Sequence, residues 1–320
     1  MKRCLTLLAL CLCFGCDKQP YIITNMRGGL IDQMDYFLIG EQLKKKGIDV
    51  KFDISYYNVP GGRFSSSIKK SYNRRSFQLL KAFPYLKTKL HIASDGDVKL
   101  LKSKNVIRKS KEDGSNSWSF FKEVVDTPVY IDMWNLGNWS LCQDIVYPKN
   151  PKASAKNSTN LYKEYFHFKD ISIMDEENMA VLNKIKLENN SVGVHVRRGD
   201  FVELGDVLPE EYFLLAAKKA KELWPDCCLF FFSDEPEYVK EYIFPELDSN
   251  IRKEIVDIND ADHCYRDLFL MSECKYQIAG LGSMIYVAFF INNNPEKKLI
   301  APRSGRNAAY RKGVADIIML

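Results

Sequence analysis

From Ser191 to Ala301 the chain alternates short apolar runs with helix-length segments, the pattern of a parallel sheet with helices on both faces. The clearest run is Ser191–Phe201. There Val192, Val194 and Val196 alternate with Gly193, His195 and Arg197, a period of two that reads as a buried strand. A helix at Pro209–Leu223 follows, with proline at its start, and then an apolar strand at Cys227–Phe232. Ser233-Asp234-Glu235-Pro236 is a turn opening a helix at Glu237–Ile243. A strand at Ile255–Ile258, helix at Asp262–Cys274, strand at Gln277–Ala279, helix at Ser283–Ile291 and closing strand at Lys298–Ala301 complete the series.

The first half opens in the same style. Tyr21–Asn25 reads as a strand, Arg27-Gly28-Gly29-Leu30 as a turn and Asp32–Lys45 as a helix whose apolar face carries Met34, Phe37, Leu38 and Leu43. Gly47 stops that helix and Ile48–Ile54 is the next strand. Residues 55–128 carry less pattern, with turns at Pro60-Gly61-Gly62 and Asp113–Asn116 and a short helix at Ser76–Phe83. Val129–Met133 reads as a strand leading into the aromatic and amide cluster Trp134–Trp139. Pro148–Asn160 reads as an exposed loop, and Asp175–Leu187 as a helix with Met179, Leu182 and Ile185 on one face. A chain of 320 residues accommodates two such domains. The expected division is a signal-like or membrane-associating segment at 1–18, an acceptor-side α/β domain at 19–168 and a nucleotide-sugar-binding domain at 169–320.

A net charge of +5, scattered rather than banked on one segment, gives no reason to expect nucleic acid as a partner. Of nine cysteines, four lie before residue 17; the other five, without a CxxC pair, suggest neither a zinc site nor a disulfide framework but buried free thiols. Lys2 and Arg3 precede an apolar run from Cys4 to Cys16 that has the shape of a secretory signal and is short for a membrane span. Phe14-Gly15-Cys16 hints at a lipoprotein processing site; a mis-assigned start and a short membrane-associating tail are the plainer alternatives.

Chemistry gathers where strands end. In an open α/β sheet, ligands bind beyond the carboxyl ends of the strands. Arg197, Arg198 and Asp200 follow one strand, Ser233 and Asp234 the next, and Gly280, Gly282 and Ser283 lead into a helix. Guanidinium forks on one side, with glycine-flanked amides and a hydroxyl on the other, suit a diphosphate. Asp234 could take a ribose or base donor. The Gly28-Gly29 pair leaves amides at a second helix start, although it is not a GxGxxG dinucleotide fingerprint. Each feature also has a plainer reading: arginines paired with neighbouring carboxylates, a structural glycine turn, a packed core histidine at His195.

In order along the chain these stretches resemble one family. His195-Val196-Arg197-Arg198-Gly199-Asp200 resembles the HxRRxD motif of the α-1,2-fucosyltransferases, glycosyltransferase family eleven. Gly28–Met34 is similar to that family's GGLGNQM, Asp53–Tyr56 to its LDxSxY strand, and Trp134–Trp139 lies where the family has GYWQSE. Phe232-Ser233-Asp234 is similar to its FSDD, Asp267–Ser272 to DLxLMS and Asn292–Pro295 to NNNP. The resemblance implies an α/β, GT-B-like fold: two Rossmann-type doubly wound domains facing a cleft. It implies an inverting transfer of fucose from GDP-fucose to a galactose-type acceptor, with no cofactor and no metal, because arginines neutralise the leaving diphosphate. Arg198 would grip that diphosphate with Arg197 helping, and His195 and Asp200 would orient the arginines or contact the donor. Ser233, Asp234, Gly282, Ser283, Gly28 and Gly29 complete the expected donor contacts.

Two departures stand out. Ile31-Asp32 replaces the family's Gly-Asn, putting a carboxylate where an amide is usual. Gly280–Val287 replaces NSSFSWWG, removing two tryptophans and leaving Ser283 as the stand-in hydroxyl. The second departure keeps two further readings open: a transferase for another nucleotide sugar, and a glycan- or nucleotide-binding protein that lost catalysis. Because GDP-sugars are made in the cytosol, a cytoplasmic location is expected, with association at the inner membrane where glycolipid acceptors are built. Export or lipid anchoring through the amino-terminal segment is the alternative.

Overall fold

The computed structural model describes residues 21–58, 75–104, 106–107, 128–132, 159–168, 171–305, 310, 314 and 316–320. The signal-like segment, Trp134–Trp139, both turns read at residues 60–62 and 113–116, and most of the 148–160 loop lie outside the described residues.

Two parallel sheets form, as expected for a GT-B-like chain. The first contains β1 (Tyr21–Asn25), β2 (Asp49–Asp53), β3 (Val106–Ile107) and β4 (Val129–Ile131) in the order β2-β1-β4-β3. The second contains β5 (Ser191–Val196), β6 (Cys228–Ser233), β7 (Arg252–Val256), β8 (Tyr276–Ile278), β9 (Leu299–Ala301) and β10 (Ile317–Met319). Its order, β10-β9-β8-β5-β6-β7, is the dinucleotide-binding order 3-2-1-4-5-6 read from the far edge. The strand order therefore reverses between β5 and β8, the position at which open α/β sheets bind ligands beyond the carboxyl ends of their strands. β5 is buried along its whole length, which its three valines and lone glycine allow.

Several boundaries move, each for a physical reason. β7 begins at Arg252 rather than Ile255 and ends at Val256, because an edge strand needs no apolar face on its exposed residues. Lys298–Ala301 is not the closing strand: β10 pairs beyond β9, with Ile317 opposite Leu299. The helix read at Glu237–Ile243 starts at Pro236 and widens into a π-turn over Val239–Ile243. Pro209 is the extended residue before its helix rather than the first residue inside it.

The helix Leu30–Lys44 is buried on almost every side rather than along one stripe, including Gln33 and Asp35. Its residues share one apolar cluster with Phe230 and Phe232 of β6 and with Tyr286, Phe289 and Phe290 of the helix Met284–Ile291, so a continuous core joins the halves. The buried Asp35 carboxylate accepts the Tyr162 hydroxyl, and the Tyr162 ring packs 5.7 Å from that of Phe290. Cys227, Cys228, Cys264 and Cys274 are free thiols; Cys142 lies outside the described residues.

Candidate active site

β5 delivers Arg197 and Arg198 to the mouth of the crevice, and the turn after β6 wraps them in carboxylates. Asp234 accepts from Arg197 Nη1 at 2.6 Å and from the Arg198 amide at 2.9 Å. Asp200 accepts from Arg197 Nη2. Glu235 accepts from Arg198 Nε at 2.9 Å and from the Gly199 amide at 3.1 Å. Ser233 ties the two strand ends together: its hydroxyl donates to the Val196 carbonyl at 2.8 Å and accepts the Glu235 amide at 3.0 Å.

The two arginines are held differently. Arg197 has both terminal nitrogens engaged and its guanidinium 5.1 Å from the Phe201 ring centre. Arg198 is fixed through Nε and lies 3.3 Å from the Tyr238 ring centre. Its two Nη groups make no hydrogen bond among the described residues, so a fork of donors is oriented by Glu235 and Tyr238 and left open. Orienting a guanidinium before its anion arrives lowers the entropy lost on binding.

On the other wall, the turn Gly280–Ser283 after β8 presses against β5. A Cβ on Gly280 would sit 2.6 Å from the His195 carbonyl oxygen, and one on Gly282 would sit 2.6 Å from His195 Cε1 and 3.2 Å from Arg197 Cβ. Tyr212 donates to the Ala279 carbonyl at 2.7 Å and Tyr286 to that of Gly280 at 3.2 Å, so the turn is braced from both sides. The amides of Gly282 and Ser283, at the start of the helix Met284–Ile291, make no hydrogen bond among the described residues.

His195 lies beneath this turn, 9% exposed, with Nδ1 buried and unpartnered. Burial, helped by the charge of Arg197, pushes its pKa down to about 3, so the ring is neutral at ordinary pH. It brings no positive charge to the site.

The first half contributes a group of its own. Gly28 and Gly29 turn the chain into the helix Leu30–Lys44, and Asp32 Oδ2 accepts the Gly29 amide at 2.8 Å. Gln33, fully buried, accepts the amides of Gln78 and Leu79 and donates to the Ser76 carbonyl. That clamp places the neighbouring Arg75, whose Nη2 lies 3.5 Å from Asp200 Oδ2 in the other half. Gln78 also crosses, donating to the Ala261 carbonyl at 2.7 Å. Arg75, Glu235 and Tyr238 are site residues that sequence reasoning missed. Glu235 adjoins the Ser233-Asp234 pair and was within reach; Arg75 sits in the patternless 55–128 stretch and carried no local signal.

A pocket of about 170 Å³ lies at the carboxyl ends of β1 and β2, lined by Asn25, Arg27, Asp53, Ser55, Tyr56, Lys102 and Tyr130. Burial opposes ionisation of Asp53, but hydrogen bonds from Lys102, Ser55 and Tyr130 outweigh it and hold the carboxyl down to about 2. Among the described residues no cluster of His, Cys, Asp or Glu is arranged to hold a metal ion, and no helix is long and apolar enough to cross a membrane.

Comparison with known proteins bears on this geometry. Residues 153–315, more than half of the chain, match Glycosyl transferase family 11. The chain belongs to that family. Among curated relatives, an alpha-1,2-colitosyltransferase of Escherichia coli is 31% identical over 122 residues, covering 35% of this chain and 40% of that protein. The O-antigen biosynthesis glycosyltransferase WbnK of Escherichia coli is 23% identical over 132 residues, covering 39% and 42%. The chain thus spans about two fifths of the length of these relatives. Similar solved structures include POFUT1 in complex with GDP, with a TM-score of 0.47, 13% identity and coverage of 89% and 98%. Another is the Escherichia coli ADP-heptose LPS heptosyltransferase II, with a TM-score of 0.44, 10% identity and coverage of 94% and 90%.

Proposed function

We propose that this family 11 protein is an inverting, metal-independent glycosyltransferase that moves L-fucose from GDP-fucose to a hydroxyl of a galactose-type acceptor, in α-1,2 linkage. One observation carries the reading: Arg198 offers an open, pre-oriented guanidinium fork at the end of β5, where the strand order of the second sheet reverses. As the bond from the sugar to the β-phosphate breaks, negative charge grows on the diphosphate. A cation fixed in advance stabilises that charge more in the transition state than in the ground state, which is what lowers the barrier. Arg197, tied to Asp200 and Asp234, holds the turn in place and adds positive potential. The amides of Gly282 and Ser283, without a hydrogen bond among the described residues, are the second set of donors for the phosphate oxygens.

Asp200, Asp234 and Glu235 keep the arginines in position while the site is empty, and an arriving diphosphate competes with them for the same guanidinium groups. Neutral His195 acts as packing beneath the turn and as a hydrogen-bonding ring, not as a cation. The acceptor enters from the first half, where the pocket of Arg27, Tyr56 and Lys102 combines an aromatic face with polar groups. In this reading residues 19–168 form the acceptor side and 169–320 the donor side, and the protein works in the cytosol, where the donor is made.

A second reading, transfer of another GDP-linked sugar, is favoured by the Gly280–Val287 departure and by the name of the colitosyl-transferring relative. Calorimetry with GDP-fucose, GDP-mannose and GDP separates the two. Binding of GDP-fucose followed by transfer to a galactoside supports the first; binding of GDP without use of GDP-fucose supports the second. Failure to bind any of the three removes both.

A further inference from the structure

An inverting transfer needs a group to take the proton of the attacking hydroxyl, and that group must stand opposite the leaving diphosphate. In the first half one carboxylate has both Arg197 and Asp200 of the second half among its charged neighbours. It is Asp32, in the first turn of the helix Leu30–Lys44.

Asp32 caps the helix start at its third position. Oδ2 takes the Gly29 amide, but Oδ1 makes no hydrogen bond among the described residues, and part of the side chain remains accessible. Gly28, at φ +86°, passes so close that a Cβ there would lie 2.2 Å from Oδ2 and 2.6 Å from Cγ. Arg75 stands beside it: a Cβ on Gly29 would lie 3.9 Å from both Arg75 Nη1 and Asp32 Oδ2. Arg75 then reaches Asp200, and Asp200 holds Arg197. Asp32 and the arginine turn are therefore linked across the cleft through one side chain.

We propose that Asp32 is the catalytic base of the transfer: its carboxylate accepts the proton of the acceptor hydroxyl as that oxygen bonds to the anomeric carbon. The inference rests on the transferase reading given above. The acceptor oxygen supplies the electron pair for the new glycosidic bond, and the bond from the anomeric carbon to the β-phosphate oxygen breaks. Its electron pair leaves with the diphosphate, whose charge Arg198 and Arg197 offset, and the proton on Asp32 passes to water afterwards.

The electrostatics suit the role. Asp32 is partly accessible, and burial among its neighbours pushes its pKa up to about 6. The Gly29 amide and the charges of Arg75 and Arg197 oppose that rise, while Asp200 adds to it. The Tyr56 and Tyr57 hydroxyls also face it; burial raises both, so they stay protonated and neutral. A base with a pKa near 6 is ionised at neutral pH and still accepts a proton readily. Because the ionised form is the active one, turnover should rise with pH through about 6 and level off above it.

The test is Asp32→Asn, which keeps an oxygen for the Gly29 amide and restores the amide usual in the family, so the base role is assigned to this chain and not to the family. With GDP-fucose as donor and lactose as acceptor, kcat is expected to fall about 100- to 10,000-fold and the acidic limb of the pH profile to vanish. GDP affinity and melting temperature should stay near those of the unaltered protein. Arg75→Ala provides a second reading: the acidic limb should move to higher pH, because a charge favouring the ionised carboxyl is lost. Transfer by Asp32→Asn at the original rate and with the original limb overturns the base assignment alone. GDP binding without fucose transfer by the unaltered protein overturns the fucosyl-transfer reading on which the assignment rests.

Discussion

Replacing Gly280 by alanine tests how tightly the two walls of the crevice are set against each other. The new Cβ would lie 2.6 Å from the His195 carbonyl oxygen, and ordinary contact begins at 3.4 Å, so something must retreat by about 0.8 Å. β5 is poorly able to give way. His195 is in register with Phe232, and β5 is flanked by β6 on one side and β8 on the other. The turn after β8 must move instead, against the hydrogen bonds from Tyr212 and Tyr286 that hold its carbonyls. Overpacking of this kind costs about 1–3 kcal/mol. In a domain of this size that lowers the melting temperature by roughly 2–12 °C. The displaced turn carries the Gly282 and Ser283 amides with it, and a shift approaching 1 Å in a phosphate cradle lowers transfer by up to about 100-fold. Thermal unfolding, GDP calorimetry and transfer rates on one preparation give all three readouts. Gly282→Ala meets the edge of an imidazole rather than a carbonyl, and a side chain can turn aside, so its loss of stability should be smaller. If Gly280→Ala melts and binds GDP like the unaltered protein, the close approach of the turn to β5 is wrong.

Two other outcomes follow from groups away from the crevice. Burial pushes the Asp267 carboxyl up to about 7; the Asn259 hydrogen bond opposes this and the charge of Asp257 adds to it. A folded-state pKa above the unfolded one contributes stability in full at acid pH and loses it as pH rises through about 7. Asp267→Asn should therefore gain about 1–3 kcal/mol on the unaltered protein between pH 5 and pH 8 in urea unfolding; equal pH dependence would count against it. Lys297 Nζ donates to the carbonyls of Phe289, Phe290 and Asn292, closing the end of the helix Met284–Ile291. Lys297→Met should cost about 1–3 kcal/mol in the same assay, and an unchanged midpoint would show that the cap contributes nothing.

The sequence was legible where local pattern and tertiary role coincide. β5 and β6 are apolar because both faces are covered, so their periodicity survives reading, and the chemistry at their ends was found by looking there. β7 was misjudged because an edge strand is not obliged to look apolar: Arg252, Lys253 and Glu254 carry charges along an open edge, whereas the missed β10 is apolar throughout. Partners distant in sequence were harder. Nothing around Arg75 announces that Gln33, more than forty residues earlier, fixes its neighbours beside Asp200. Asp32 was visible as a departure from the family's amide, yet its environment depends on the other half of the chain. The Arg197 and Arg198 pair was read as an anion grip; that one arginine is engaged and the other open depends on Asp234, Asp200, Glu235 and Tyr238, all of which act through space.

The central claim is that Arg198 holds the donor's diphosphate. Calorimetric titration of GDP into the unaltered protein and into Arg198→Ala tests it most directly. Two charge-assisted hydrogen bonds lost from the Nη groups should weaken GDP binding by about 100-fold or more. The melting temperature should fall only modestly, through loss of the Nε bond to Glu235 and the stacking on Tyr238. GDP bound by Arg198→Ala with undiminished affinity would contradict the account and put the donor site elsewhere.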